Sequence, residues 1–266
     1  MPKHIPILQI DAFTAEPFRG NPAGVCLLSD EADPAWMQAV AAEMNLSETA
    51  FLVRQGAEFQ IRWFTPATEV PLCGHATLAS AHALWEEGIV APDLSITFRS
   101  QSGPLAARRE ADWICLDFPL LRVAPVAAPA GLAEALGCAP LSLHRDATYM
   151  HVVELESAAA VRDLRPDIRR LHALGLGSCI VTARGDAPGC DFVSRFFAPM
   201  FGIDEDPVTG SAHCALAPFW AERLGRSELT GQQVSKRGGV VRVRVRGERV
   251  ELLGQAVTVI RGELRA

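Results

Sequence analysis

The chain has 266 residues, of which 49% are hydrophobic and 21% charged, a composition that excludes intrinsic disorder. At about 150 residues per domain, this length means one large domain or two ordinary ones. With 25 basic against 31 acidic residues, the net charge of −6 argues against nucleic-acid or anionic-membrane partners.

The N-terminal third alternates strand signals with one helix. Ile7 to Phe13 reads as a strand and Phe18 to Gly24 as a Gly/Asn/Pro loop. A strand resumes over Val25 to Leu28. Asp33-Pro34 then opens a helix running to about Asn45, with Asp as N-cap and Pro at its first position. Leu46 to Val53 and Glu58 to Thr65 read as strands. Residues 75–87 and 211–223 are small or apolar nearly all round, the mark of buried helices. Strand-like runs at Leu94 to Phe98, Trp113 to Phe118 and Cys179 to Ala183 surround them. Val241 to Arg246 alternates Val with Arg, which predicts one buried face and one solvated basic face rather than a phosphate site.

No stretch of 18 apolar residues occurs, so no membrane span is expected. Met1-Pro2-Lys3-His4-Ile5-Pro6 leads into a strand without the apolar segment of a signal peptide, so the expected location is the cytoplasm. The seven cysteines are odd in number and scattered, with no C-x-x-C, which argues against a disulfide framework or a structural zinc site. His4, His144, His151 and His172 show no ligand spacing, and no metal is expected. His82 and His213 fall within the buried helices and read as core histidines.

An internal repeat organises the chain. The segment from Cys73 aligns with the segment from Thr209, with identities at Gly74/Gly210, Ala76/Ala212, Ala79/Ala215, Ala81/Ala217 and Glu86/Glu222. Just upstream, Arg62-Trp63-Phe64-Thr65-Pro66 mirrors Arg195-Phe196-Phe197-Ala198-Pro199. Two matching blocks in one order predict two similar domains, 1–118 and 119–266, divided near Phe118-Pro119, each with strands around one buried helix.

Three features could carry chemistry. Period-two geometry puts Glu48 on one face with Leu46, Ala50 and Leu52. Unless the strand is an edge, or its odd face is the inner one, that carboxylate is desolvated and suited to proton transfer near neutral pH. Gly74 and Gly210 each precede a buried helix, where a ligand can approach the backbone and first-turn N–H groups attract an anion. Two such ends facing each other would hold a small carboxylated substrate. Asp206, in the acidic run before the second helix, either caps it or binds an amino group. His75 is either an acid/base group or a polar first-turn residue. There is no dinucleotide fingerprint, P-loop or G-x-S-x-G.

Taken together, Gly20-Asn21-Pro22-Ala23-Gly24, Asn45-Leu46-Ser47-Glu48-Thr49, Gly74-His75-Ala76-Thr77 and Glu205-Asp206-Pro207-Val208-Thr209-Gly210-Ser211-Ala212 resemble the PhzF-like family, related to diaminopimelate epimerase. The resemblance covers essentially the whole chain. It implies an α+β fold of two similar domains with pseudo-two-fold symmetry, each an antiparallel barrel-like sheet around a central buried helix, with the last strand returning to the first domain. It implies that Glu48 is the catalytic acid/base, supported by His75 and Asp206. Gly74, Gly210, Ser211, Asn21 and Cys73 would bind a carboxylate-bearing small molecule. No cofactor is implied, and a homodimer is. Epimerases of this fold use two cysteines, one at each helix start; here the second position is Thr209, a poor acid/base at neutral pH. A single-base isomerase that shifts a double bond is therefore expected. The alternatives are a one-thiol epimerase or racemase using Cys73 and Glu48, and a catalytically silent ligand- or protein-binding member.

Overall fold

The computed structural model describes residues 4–265. Met1-Pro2-Lys3, on which the expectation of a leaderless start partly rests, lie outside the described residues. The chain divides into two compact units: residues up to Asp117 together with those from Leu253 onward, and Phe118–Leu252.

The first unit runs β1 (His4–Ala12), β2 (Asn21–Leu28), α1 (Pro34–Met44), β3 (Glu48–Gln55), β4 (Glu58–Phe64), β5 (Glu69–Val70), α2 (Gly74–Glu86), β6 (Ile96–Ser100), β7 (Gly103–Glu110) and β8 (Trp113–Pro119). The second runs β9 (Ala124–Pro125), α3 (Leu132–Leu136), β10 (Ser142–Arg145), β11 (His151–Glu154), α4 (Ala158–Asp163), α5 (Ile168–Ala173), β12 (Cys179–Arg184), β13 (Phe192–Ala198), β14 (Ile203–Asp206), α6 (Gly210–Leu224), β15 (Glu228–Gln233), β16 (Gly239–Arg246) and β17 (Arg249–Gly254). Finally β18 (Ala256–Arg265) returns to the first unit and pairs antiparallel with β1.

The fold is α+β, with a barrel-like sheet around a buried helix in each unit. The sheets are mixed, however, rather than purely antiparallel. In the first unit β2–β3 and β4–β6 are parallel; in the second β11–β12 and β13–β15 are. The helices cause this, because a parallel pair needs a crossover connection and α1, α2, α4–α5 and α6 supply it. The intervening pairs β1–β2, β3–β4 and β6–β7, like β10–β11, β12–β13 and β15–β16, are antiparallel. The two units thus repeat one pairing scheme, the physical content of the sequence repeat.

Helix α1 begins as its sequence dictates. The Asp33 carboxylate accepts from Ala35 N at 3.0 Å, Pro34 occupies the first turn, and Asn45 ends the helix in the left-handed region. Its face bearing Met37, Val40 and Ala41 packs on Phe51 of β3 and Phe64 of β4. Helix α2 is buried along nearly its whole length. Two of its polar residues are satisfied within the helix: the Thr77 and Ser80 hydroxyls donate back to the carbonyls of Cys73 and Ala76 at 2.5 and 2.7 Å. Helix α6 contains Pro218, which leaves the Cys214 carbonyl without its helical donor. The Leu121 amide donates to that carbonyl instead, at 3.1 Å.

Two local expectations change. Asn21 to Gly24 belongs to β2 rather than to a loop; Pro22 faces only β1, because pairing with β3 begins one residue later at Ala23. The acidic run before α6 is the short strand β14, not a helix cap. On β16, Val241 and Val243 are buried, while Arg244 and Arg246 pair with Glu251 and Glu228 at 3.3 and 2.9 Å, as a solvated basic face requires. Among the described residues, no helix is long and apolar enough to cross a membrane.

Candidate active site

Strand β3 is buried on both faces over Thr49 to Leu52, so alternation alone does not distinguish its inner side. Phe51, on the odd face, packs against α1. Glu48, at the start of the strand on the other face, meets His75 of α2. Glu48 Oε2 lies 3.2 Å from His75 Nε2, although the ring N–H is not aimed squarely at the carboxylate. The glutamate side chain keeps 15% exposure and the histidine 6%, so the pair is sheltered but the carboxylate retains an opening.

The other edge of the imidazole is held from below. The Asn21 side chain is fully buried, and its Nδ2 donates to His75 Nδ1 at 3.2 Å. Asn21 Oδ1 in turn accepts from Ser47 Oγ at 3.2 Å. Cys73 Sγ lies 3.5 Å from the same His75 Nδ1. Burial pushes the His75 imidazole down to about 3, so the ring is neutral at physiological pH. The first unit therefore gathers five of the expected site residues: Asn21, Glu48, Cys73, Gly74 and His75. Asn21 differs from the expectation in kind. It sits beneath the histidine with its amide engaged, rather than at a surface a substrate could touch. Glu48, Cys73 and His75 also place one potential ligand atom each within 4.8 Å of one another, a donor set that could hold a soft divalent cation.

The second unit gathers Asp206, Gly210 and Ser211 at the start of α6. Asp206 is buried at the end of β14, and its carboxylate accepts from the Thr209 hydroxyl. Gln233, from β15, joins them: its Oε1 accepts from Thr209 N at 2.9 Å and its Nε2 donates to the Asp206 carbonyl at 2.8 Å. Ser211 is exposed at the head of the helix. Thr209 and Cys73 hold the N-cap positions of the two helices, and neither makes a side-chain capping bond to its helix. His213 reads as a core histidine only in part: Nδ1 donates to the Thr209 carbonyl at 2.8 Å, but the buried Nε2 has no hydrogen-bond partner among the described residues.

Sequence reasoning did not single out Gln233 or Ser47. Neither lies in a repeating pattern, and their partners are 24 and 26 residues away. It also left the shared Arg-aromatic blocks unexplained. Arg62 makes a two-bond pair with Glu69, both at 2.7 Å, joining β4 to β5. Arg195 does the same with Glu205 at 2.7 and 2.9 Å, joining β13 to β14. Each clamp anchors the short strand that leads into a helix start.

The strand registers identify counterparts across the repeat. Thr49 pairs with Phe64 as Cys179 pairs with Phe197, so the residue matching Glu48 is Ser178. The residue matching His75 is Ser211, and that matching Cys73 is Thr209. Carboxylate, imidazole and thiol thus all belong to the first unit.

A family model described as phenazine biosynthesis-like protein matches residues 10–262. The chain is 47% identical over 260 residues to an uncharacterized isomerase of Halalkalibacterium halodurans, covering 97% of this chain and 98% of that protein. It is 50% identical over 257 residues to an uncharacterized isomerase of Pseudomonas aeruginosa, covering 97% of each. A crystal structure of a PhzF-family phenazine biosynthesis protein from Enterococcus faecalis superimposes with a TM-score of 0.95 at 41% identity, covering 99% of this chain and all of that one. The two-unit fold, the matched motifs and these relatives agree, and the chain belongs to the PhzC-PhzF family of phenazine biosynthesis-like proteins.

Proposed function

We propose that the protein is a cofactor-independent isomerase that shifts a double bond in a small carboxylate-bearing metabolite by proton transfer through Glu48. The contact between the Glu48 carboxylate and the neutral His75 imidazole carries this reading. Relatives of nearly equal length that bear the name isomerase support it.

In this mechanism Glu48 takes a proton from a carbon activated by the substrate's unsaturation or carboxylate. The C–H bond breaks, an O–H bond forms on Glu48, and the electron pair moves into the substrate. The same carboxyl group then returns the proton to a second carbon on the same face. His75 stays neutral throughout and steadies the reacting carboxylate with an N–H contact. First-turn amides at Gly74 hold developing negative charge. Ser178 and Thr209 at the counterpart positions favour one base over two, and so a double-bond shift over inversion.

One observation favours a second reading. Cys73 Sγ is 3.5 Å from His75 Nδ1, close enough for the imidazole to exchange a proton with the thiol. A one-thiol epimerase or racemase would invert a carbon and would require Cys73.

The test uses wild type, Glu48→Gln and Cys73→Ser with a pool of amino and carboxylic acids in heavy water. Products are read by mass and by chiral separation. Deuterium or a new constitutional isomer with wild type and Cys73→Ser, but not with Glu48→Gln, supports the isomerase. An inverted product lost in Cys73→Ser supports the epimerase. Wild-type turnover by Glu48→Gln overturns both, and ligand binding without any product favours a silent binding protein.

A further inference from the structure

We propose that Asn21 is a positioning residue that selects the tautomer of His75, and that Ser47 orients Asn21 for that task. The inference rests on the reading of Glu48 and His75 as the proton-transfer pair, and it deepens that reading.

The argument follows from donor chemistry. A carboxamide nitrogen only donates, and a neutral imidazole carries one N–H and one bare nitrogen. Asn21 Nδ2 lies 3.2 Å from His75 Nδ1, so Nδ1 must be the bare, accepting nitrogen. The ring proton is thereby confined to Nε2, the nitrogen 3.2 Å from Glu48. The alternative orientation of the amide would set its oxygen against Nδ1 and draw the proton to that side. Ser47 completes the arrangement: its hydroxyl donates to Oδ1 at 3.2 Å, on the side of the amide away from the ring. Asn21 and Ser47 stand at the start of β2 and just before β3, two strands that pair in parallel, so the backbone brings both beside the first turn of α2. With the other tautomer, a bare Nε2 would face the carboxylate lone pairs, and the contact would repel rather than steady the base.

The experiment is nitrogen-15 NMR of the histidine rings at neutral pH, with the His75 signals identified by their loss in His75→Gln. It needs no substrate, so it gives its answer even if no proton-transfer activity is found. Wild type should show His75 as a single Nε2–H tautomer. Asn21→Asp presents an acceptor in place of the donor, and the proton should move to Nδ1. Ser47→Ala, at a half-buried position, should fold normally and admit a measurable share of the Nδ1–H form. A wild-type Nδ1–H ring or a charged imidazolium overturns the proposal, as does an unchanged Nε2–H signal in Asn21→Asp. Should Asn21→Asp fail to fold, Ser47→Ala decides, and an unchanged single tautomer there counts against the relay.

Discussion

The His75 ring touches Glu48 through one nitrogen and Asn21 through the other, at 3.2 Å in each case. A buried, neutral imidazole thereby links the carboxylate of β3 to the amide of β2. Burial keeps the ring neutral, so it does not gain and lose charge near neutral pH.

If Glu48 transfers the proton, Glu48→Gln keeps the shape and the contact with His75 but removes the base. Turnover should fall by about 10²–10⁴-fold or more, with the melting temperature little changed. Steady-state kinetics beside a thermal melt checks both halves of the statement.

Stability should depend on pH through the histidines whose values burial lowers, most strongly His75 and His213. Burial holds His75 down to about 3 and His213 to about 4, against an ordinary value near 6.5. Between those limits the unfolded chain binds the extra protons. Stability is therefore full above about pH 6.5 and falls as pH drops toward the folded-state values. The slope is about 1.4 kcal/mol per pH unit for each ring. Urea titrations from pH 7.5 to 4.5 should show the decline, and His213→Asn should make it shallower.

The two arginine clamps should differ in strength. Arg195 is 9% exposed, and besides Glu205 it donates to the carbonyls of Leu164 and Val161 at the end of α4. Arg62 is 24% exposed and pairs with Glu69. Arg195→Ala strands a carboxylate and two carbonyls and should cost about 3 kcal/mol or more, while Arg62→Ala should cost about half as much. Equal losses in denaturant melts would contradict this.

Gly254→Ala tests the packing of the first unit. An added Cβ would run into the Phe13 ring and lie 2.7 Å from Leu78 Cδ1. Phe13 and Leu78 are fully buried, and Phe13 is already at a positive φ of 63°. Overpacking should destabilise by about 1–3 kcal/mol, read as a lower melting temperature.

The buried helices and the repeat were legible because small apolar residues on every side of a helix leave it no place but the interior. Helix α1 was legible from Asp33 and Pro34, whose effects are local. The mixed pairing was not, because strands covered on both faces lose the alternation that would separate one arrangement from another. Glu48 was only partly legible: its face could be named, but whether that face mattered depended on His75, 27 residues on. Asn21 shows the limit most clearly. Its motif marked the place, yet only the fold shows that its amide serves the histidine, since Ser47 and His75 reach it through long-range contacts.

The return of β18 to β1 imposes an order on folding. During synthesis the ribosome releases β1 early and β18 only after all of Phe118–Leu252, which is contiguous and can assemble first. Until then the open flank of β1, with Ile7, Leu8 and Ile10, is an unprotected template for pairing with another nascent chain. That flank therefore stays without its β18 partner for most of translation.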